Sequence, residues 1–324
     1  MKACTAVARI VAVGGLIGLC GPAAAQPYPS KPIRLITPFP PGGTTTPLAR
    51  LIGQKLSESW GQQVIVDNRP GGNTIIGTEA LAKSPPDGHT IMVMTSAHVV
   101  NPNLLTTPYD AIKDFAAVAT LTSSEFVLAI NASVPANNLQ ELIALAKSRP
   151  GQLNYASSSS GGTTHLAGAF FSILAGIKAQ HVPYKGGGPA LTDLLGGQVQ
   201  MFFNTPIVFL PHFKSGRLKA IAISGEKRNS SLPQVPTFTE AGLPGFYVGY
   251  WNGVLAPAGT PKAIIDKLSA EIGRILATPD AKDKLLSQGL DPFISTPEQF
   301  AALMKADMLR FANIIKSANI KLEN

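Results

Sequence analysis

Short apolar runs alternate with longer stretches of helical period along this chain. Ile33-Arg34-Leu35-Ile36 has the β-branched, apolar character of a strand. Leu48, Leu51, Ile52, Leu56 and Trp60 then recur at the spacing of one helix face. A second strand is predicted at 64–66, a second helix at 74–83 and a third strand at 90–94. This βαβαβ order implies a mainly parallel sheet flanked by helices. The pattern then restarts, with strand 126–130, helix 139–147, strand 153–155 and helix 164–174. Strand 179–182, helix 189–195 and strands 199–203 and 218–223 complete the second unit. After a strand at 251–255 come helices at 261–277, 279–288 and 297–317. Pro261, Pro279 and Pro297 stand at their starts, where the missing N–H removes no intrahelical bond.

Each unit contains a strand that breaks into a glycine- and hydroxyl-rich loop before a helix. The first is Phe39-Pro40-Pro41-Gly42-Gly43-Thr44-Thr45-Thr46, the second Ala156-Ser157-Ser158-Ser159-Ser160-Gly161-Gly162-Thr163-Thr164. One such loop reads as an ordinary N-cap. Two, each beyond the carboxyl end of a strand, point to a shared site for an anion, because helix N-termini present unpaired N–H groups and partial positive charge. Thr95-Ser96-Ala97-His98, after the third strand, adds a further lip.

The first 25 residues stand apart. Lys2 and Arg9 precede an apolar stretch from Ile10 to Leu19, and Ala23-Ala24-Ala25 is a small-residue cleavage pattern, so a secretory signal peptide cut after Ala25 is expected. Both cysteines, Cys4 and Cys20, fall inside it, so the mature chain is expected to hold no disulfide and no cysteine nucleophile. The net charge of +8 is scattered, without basic blocks interleaved with aromatics, which argues against a nucleic-acid partner. Phosphate-loop, dinucleotide and zinc-protease signatures are absent, and the five histidines lack metal-ligand spacing, so neither cofactor nor metal is expected. The serines at 157–160 with His165 could mimic a nucleophile and base, which leaves a serine-type hydrolase as a minor alternative.

Several motifs are similar to one family. Tyr28-Pro29-Ser30-Lys31-Pro32-Ile33-Arg34, Pro38-Phe39-Pro40-Pro41-Gly42-Gly43 and Asp67-Asn68-Arg69-Pro70-Gly71-Gly72 carry the resemblance in the first half. His165-Leu166-Ala167-Gly168, Val182-Pro183-Tyr184-Lys185-Gly186, Glu240-Ala241-Gly242-Leu243-Pro244-Gly245 and Ala256-Pro257-Ala258-Gly259-Thr260-Pro261 continue it. In order and over almost the whole mature chain, these resemble the substrate-binding proteins of tripartite tricarboxylate transporters, the Bug receptors.

The resemblance implies an α/β, two-domain clamshell of the type II periplasmic binding protein architecture. Residues 1–25 would be the signal peptide, 26–125 plus 251–324 domain 1, and 126–250 domain 2. It also implies a ligand carboxylate held by backbone and hydroxyl groups of the two loops. Carried over by position, the site residues are Phe39, Gly43, Thr44, Thr45, Thr46, Thr95 and Ser96, then Ser157, Ser158, Gly162, Thr163 and Thr164, with Asn204 and Thr205 closing the site. Many family members resemble one another in having aspartate where this chain has Thr46 and Asn204. Without those two anions an acid is easier to hold than an amine, which favours an aliphatic or aromatic dicarboxylate, terephthalate-like compounds included. The implied setting is a periplasmic monomer that is not an enzyme and that serves membrane permease subunits. A ligand-sensing co-receptor for a membrane histidine kinase is the alternative partner reading.

Overall fold

The computed structural model describes residues 28–41, 45–184, 186–287 and 290–320. The expected signal peptide, with Gly43 and Thr44 of the first loop, lies outside the described residues.

The chain opens with β1 (Ile33–Thr37), α1 (Thr45–Trp60), β2 (Val64–Asn68), α2 (Ile75–Ala82), β3 (Thr90–Thr95) and α3 (Ala97–Val100). It crosses to the second unit through β4 (Phe115–Glu125) and β5 (Val127–Asn131). There follow α4 (Leu139–Ser148), β6 (Leu153–Ser157), α5 (Thr163–Ala175), β7 (Ala179–Pro183) and α6 (Gly187–Gly196). Then come β8 (Met201–Asn204), α7 (Pro206–Lys214) and β9 (Leu218–Ile223). The return runs through β10 (Gly249–Pro257), α8 (Lys262–Ala277), α9 (Pro279–Ser287), β11 (Asp291–Pro292) and α10 (Pro297–Ser317).

Two sheets result, with orders β11-β4-β10-β3-β1-β2 and β7-β6-β8-β5-β9. Each is mixed. In the first, β1 pairs parallel with β2 and β3, while β10 runs antiparallel to β3 and β4. In the second, β6 pairs parallel with β7 and β8, while β5 runs antiparallel to β8 and β9. The expected parallel character therefore holds for the βαβ halves that carry the two loops. The antiparallel strands are those next to the points where the chain passes between sheets.

The helices cover the sheets with the faces their spacing predicts: Leu48, Ile52 and Leu56 of α1 are all fully buried. Pro279 and Pro297 are the first residues of α9 and α10, whereas Pro261 sits one residue earlier, as the cap of α8. Helix α10 starts with a capping box in which Thr296 and Gln299 bond reciprocally. It packs against β4 and α3 and also against α5 of the second unit. On α10 the buried Asp307 accepts from Trp251 Nε1 at 3.0 Å and pairs with Arg310 at 2.9 Å. Arg310 in turn lies 4.5 Å from the Tyr247 ring centre, so one helix ties down both ends of the returning crossing. No helix among the described residues is long and apolar enough to cross a membrane.

Candidate functional site

Loop geometry on the first sheet is fixed by one amide. Asn68, at the end of β2, donates from Nδ2 to the Phe39 carbonyl at 2.9 Å and to Thr46 Oγ1 at 2.8 Å. This holds the outgoing end of β1 against the first turn of α1. Thr45 and Thr46 are both buried, and the Thr46 hydroxyl is engaged by Asn68 rather than presented to a cavity. After β3, Thr95 Oγ1 accepts from the Ala97 amide at 3.2 Å and starts α3. Ser96 is fully buried, with its Oγ unpaired among the described residues.

On the second sheet the serine loop closes on itself. The Ser158 amide donates to Thr164 Oγ1 at 2.9 Å, and the Ser158 carbonyl accepts from the Gly186 amide at 2.8 Å. Ser157 is fully buried, its Oγ donating to the Ser159 carbonyl at 2.9 Å. The α5 cap is Gly162, which supplies no side-chain acceptor, and the α6 cap Gly186 supplies none either. Their first N–H groups therefore remain available to a guest, with the helix dipoles behind them. At Gly187 the missing side chain leaves room. A Cβ there would stand 3.3 Å from Asn204 Nδ2 and 3.6 Å from Ser158 Oγ, so these two polar groups converge beside the start of α6.

The two sets of loops face one cavity of about 450 Å³. Of the residues singled out from the sequence, Phe39 and Thr95 line it from the first sheet, and Ser158, Gly162, Thr163, Thr164 and Asn204 from the second. Thr45, Thr46, Ser96, Ser157 and Thr205 are not in its wall. Nor are Tyr184, Phe246 and Trp251: Tyr184 Oη donates to Asp193 at 2.7 Å, and the other two are buried in aromatic contacts.

The wall also takes in residues outside the expected contact set, some from the same loops and others from elsewhere. Ala97, Val100, Asn101, Ser159, Gly161, Gly187 and Tyr250 line the same space. A second compartment of about 260 Å³ opens beside it, sharing Phe39, Ala97, Asn101, Ser159, Gly161 and Gly162. Pro38, Pro40, Pro70, Gly71, Asn73, Thr74, Leu104 and Ser160 complete its wall. No charged side chain lines either compartment among the described residues.

The Gly71–Thr74 segment is unusual backbone. Four consecutive residues have positive φ, and two of them are not glycine: Asn73 at 52° and Thr74 at 76°. A β-branched residue in that region is strained by roughly 1–3 kcal/mol and needs outside support. Asn101 provides it, donating from Nδ2 to the Asn73 carbonyl at 2.5 Å and to Thr74 Oγ1 at 3.1 Å. Glycines 71 and 72 were visible in the Asp67–Gly72 motif, but nothing in the sequence announced a partner about thirty residues on. We expect Asn101→Ala to speed amide exchange over residues 71–76 and to weaken ligand binding, since two acceptors lose a buried donor at about 1–3 kcal/mol. Unchanged exchange in that segment would remove Asn101 from this role.

A family model described as the tripartite tricarboxylate transporter family receptor matches residues 48–320. The chain belongs to that family. Among similar proteins is "Protein BugT" of Bordetella pertussis, 36% identical over 322 residues, covering 97% of this chain and 99% of that protein. Two solved structures carry carboxylates. R. palustris Rpa4515 with adipate is 33% identical, with a TM-score of 0.77 over 91% of this receptor and 99% of that chain. MatC (Rpa3494) from Rhodopseudomonas palustris with bound malate is 31% identical, with a TM-score of 0.72 over 89% of this receptor and 100% of that chain. The receptor therefore shares its two-domain fold and its solute-binding class with these proteins.

Proposed function

We propose that this receptor captures a small dicarboxylate, aliphatic or aromatic, between its two sheets and delivers it to the permease of a tripartite transporter. One observation carries the reading. The unpaired N–H groups at the start of α5, the hydroxyls of Ser158 and Thr163, and Asn204 Nδ2 converge on a cavity that no charged side chain lines among the described residues. Such a wall holds a carboxylate by charge-assisted hydrogen bonds, each about twice as strong as a neutral one. The second compartment, walled by Pro38, Pro40, Pro70 and Leu104, suits an apolar spacer, aromatic rings included. Adipate and malate on the two relatives support the same ligand class.

The lobes are 26–125 plus 251–324 and 126–250, a division supported by the membership of the two sheets. Residues 1–25 direct export to the periplasm, and the receptor works there as a monomer. Within the site we assign ligand contacts to Phe39, Gly43, Thr44, Thr95, Ser158, Gly162, Thr163, Thr164 and Asn204. Thr45, Thr46, Ser96, Ser157 and Thr205 support them from behind. The ligand leaves unchanged. The buried Ser157 hydroxyl already serves the Ser159 carbonyl, which leaves it unsuited to attack a bound substrate.

A thermal-shift screen against aliphatic and aromatic dicarboxylates tests this. At ligand one hundred times the dissociation constant, binding adds about 2.7 kcal/mol, which raises the melting temperature by several degrees. Mass spectrometry of the recovered ligand should show it intact. A panel without a single stabilising dicarboxylate, or a ligand returned chemically altered, would sink the proposal.

A further inference from the structure

Behind the serine loop lies a pair of imidazoles that ligand contact alone does not explain. His165, on the first turn of α5, and His181, on β7, stack with ring centres 3.6 Å apart and planes 4° from parallel. The Tyr155 ring of β6 lies against His181 at 5.1 Å and 28°. Gly168, one turn along α5 from His165, makes room for that tyrosine.

Each imidazole grips the loop at a different point. The Gly161 amide donates to His165 Nδ1 at 3.0 Å. Ser157 Oγ lies 2.6 Å from His181 Nε2. The serine has a single proton and gives it to the Ser159 carbonyl, so the short contact is His181 Nε2–H donating to Oγ. By the same count His165 accepts at Nδ1 and carries its proton on Nε2. Both rings are thus neutral with their tautomers assigned by their neighbours.

Burial pushes both imidazoles down to about 4, His165 also through the charge His181 would carry. The other groups around them are quiet. Tyr155 is the titratable neighbour on β6, while Asp193 of α6 is bonded by Tyr184. On α10, which packs against α5, Asp307 and Arg310 pair with each other. No carboxylate, lysine or arginine figures among the causes of either shift.

We propose that His165 and His181 are positioning residues for ligand capture, a neutral stacked pair that sets Ser157, Ser159 and Gly161 and so aims the start of α5 into the cavity. The proposal rests on the carboxylate reading above. Its chemistry makes the site acid-labile. A proton on His165 Nδ1 would set two N–H donors against one another. Charge on one ring opposes charge on the other at stacking distance.

The test compares His165→Asn and His181→Gln with His165→Leu and His181→Leu. The amides keep an acceptor near Nδ1 and a donor near Nε2, whereas leucine keeps neither. With the carboxylate that gives the largest thermal shift, calorimetry at neutral pH should show the leucine variants binding about tenfold more weakly or worse. The amide variants should recover most of that loss. As the pH drops toward about 4, wild-type affinity should fall more steeply than that of the His165→Asn/His181→Gln double variant, which keeps only the loss due to protonation of the ligand itself.

Amide exchange at Gly161, measured without ligand, should be faster in the leucine variants. Leucine variants that bind like wild type and protect Gly161 equally would overturn the positioning role. If a leucine variant does not fold, the pH profile decides: a double variant less acid-sensitive than wild type supports the role, and one equally acid-sensitive overturns it. If no carboxylate binds the wild type, the function reading fails by itself, and Gly161 exchange still decides whether the pair positions the loop.

Discussion

Replacing Ser158 and Thr163 together by alanine is expected to weaken dicarboxylate binding about a hundredfold or more. The melting temperature of the ligand-free protein should stay within about 2 °C of wild type. Neither hydroxyl makes a side-chain hydrogen bond to another described residue. The backbone of Ser158 is already satisfied by Thr164 Oγ1 and the Gly186 amide, so the loop keeps its shape without the serine hydroxyl. What disappears is the guest's share: two hydrogen bonds to a charged acceptor, at about 1.5–3 kcal/mol each. Calorimetry and a melting curve on the same sample check this. A melting temperature that collapses while affinity per folded molecule holds would show that these hydroxyls are structural.

A different pattern is expected for Gly168→Ala, in which stability is lost as well as affinity. A Cβ at this position would stand 2.2 Å from Tyr155 Cδ2, far inside contact distance. Tyr155 is buried and rests on His181, so it has no direction in which to yield cheaply. Overpacking a tight core site costs about 1–3 kcal/mol and occasionally more, and this site belongs at the upper end. At about 2–4 °C per kcal/mol, the melting temperature should drop by roughly 6 °C or more. Affinity should fall with it, because the displaced ring presses on the imidazole beneath the ligand loop. A melting curve that overlays the wild type would mean that α5 shifts freely against β6, contrary to the packing described.

Much of the fold could be read from hydrophobic spacing alone, because helix α1, strand β1 and the later helices bury the residues their periods predict. Other elements could not, β4 and α7 among them. Strand β4 is the longest in the structure, yet Phe115–Glu125 is built mainly of alanine, threonine and serine. Its place between β10 and β11 comes from ladder bonds and close packing rather than from bulky β-branched residues. Helix α7 contains Pro206 at its start and Pro211 inside, and Ile207-Val208-Phe209-Leu210 between them reads as a strand. Burial of Phe209 against Phe202 decides in favour of the helix.

The site divides in the same way. The hydroxyl and glycine runs were visible, and six of the residues singled out from them meet on one cavity with Asn204, which only the family resemblance pointed to. Local sequence could not show which hydroxyls face inward. Ser157 and Thr46 look the same as Ser158 and Thr163 in a string of letters. They are set apart by partners far along the chain, His181 and Asn68. Asn101 escaped notice for a related reason: its task is to restrain a strained turn on another segment.

The want of ionised groups among the described residues of the cavity wall also bears on how binding responds to salt. A lysine or arginine grip loosens as electrolyte rises, since dissolved ions shield charges over about 8–10 Å at ordinary salt. Oriented amides and hydroxyls act only at contact, where such shielding hardly reaches. Affinity for a bound carboxylate should therefore change little as salt is raised.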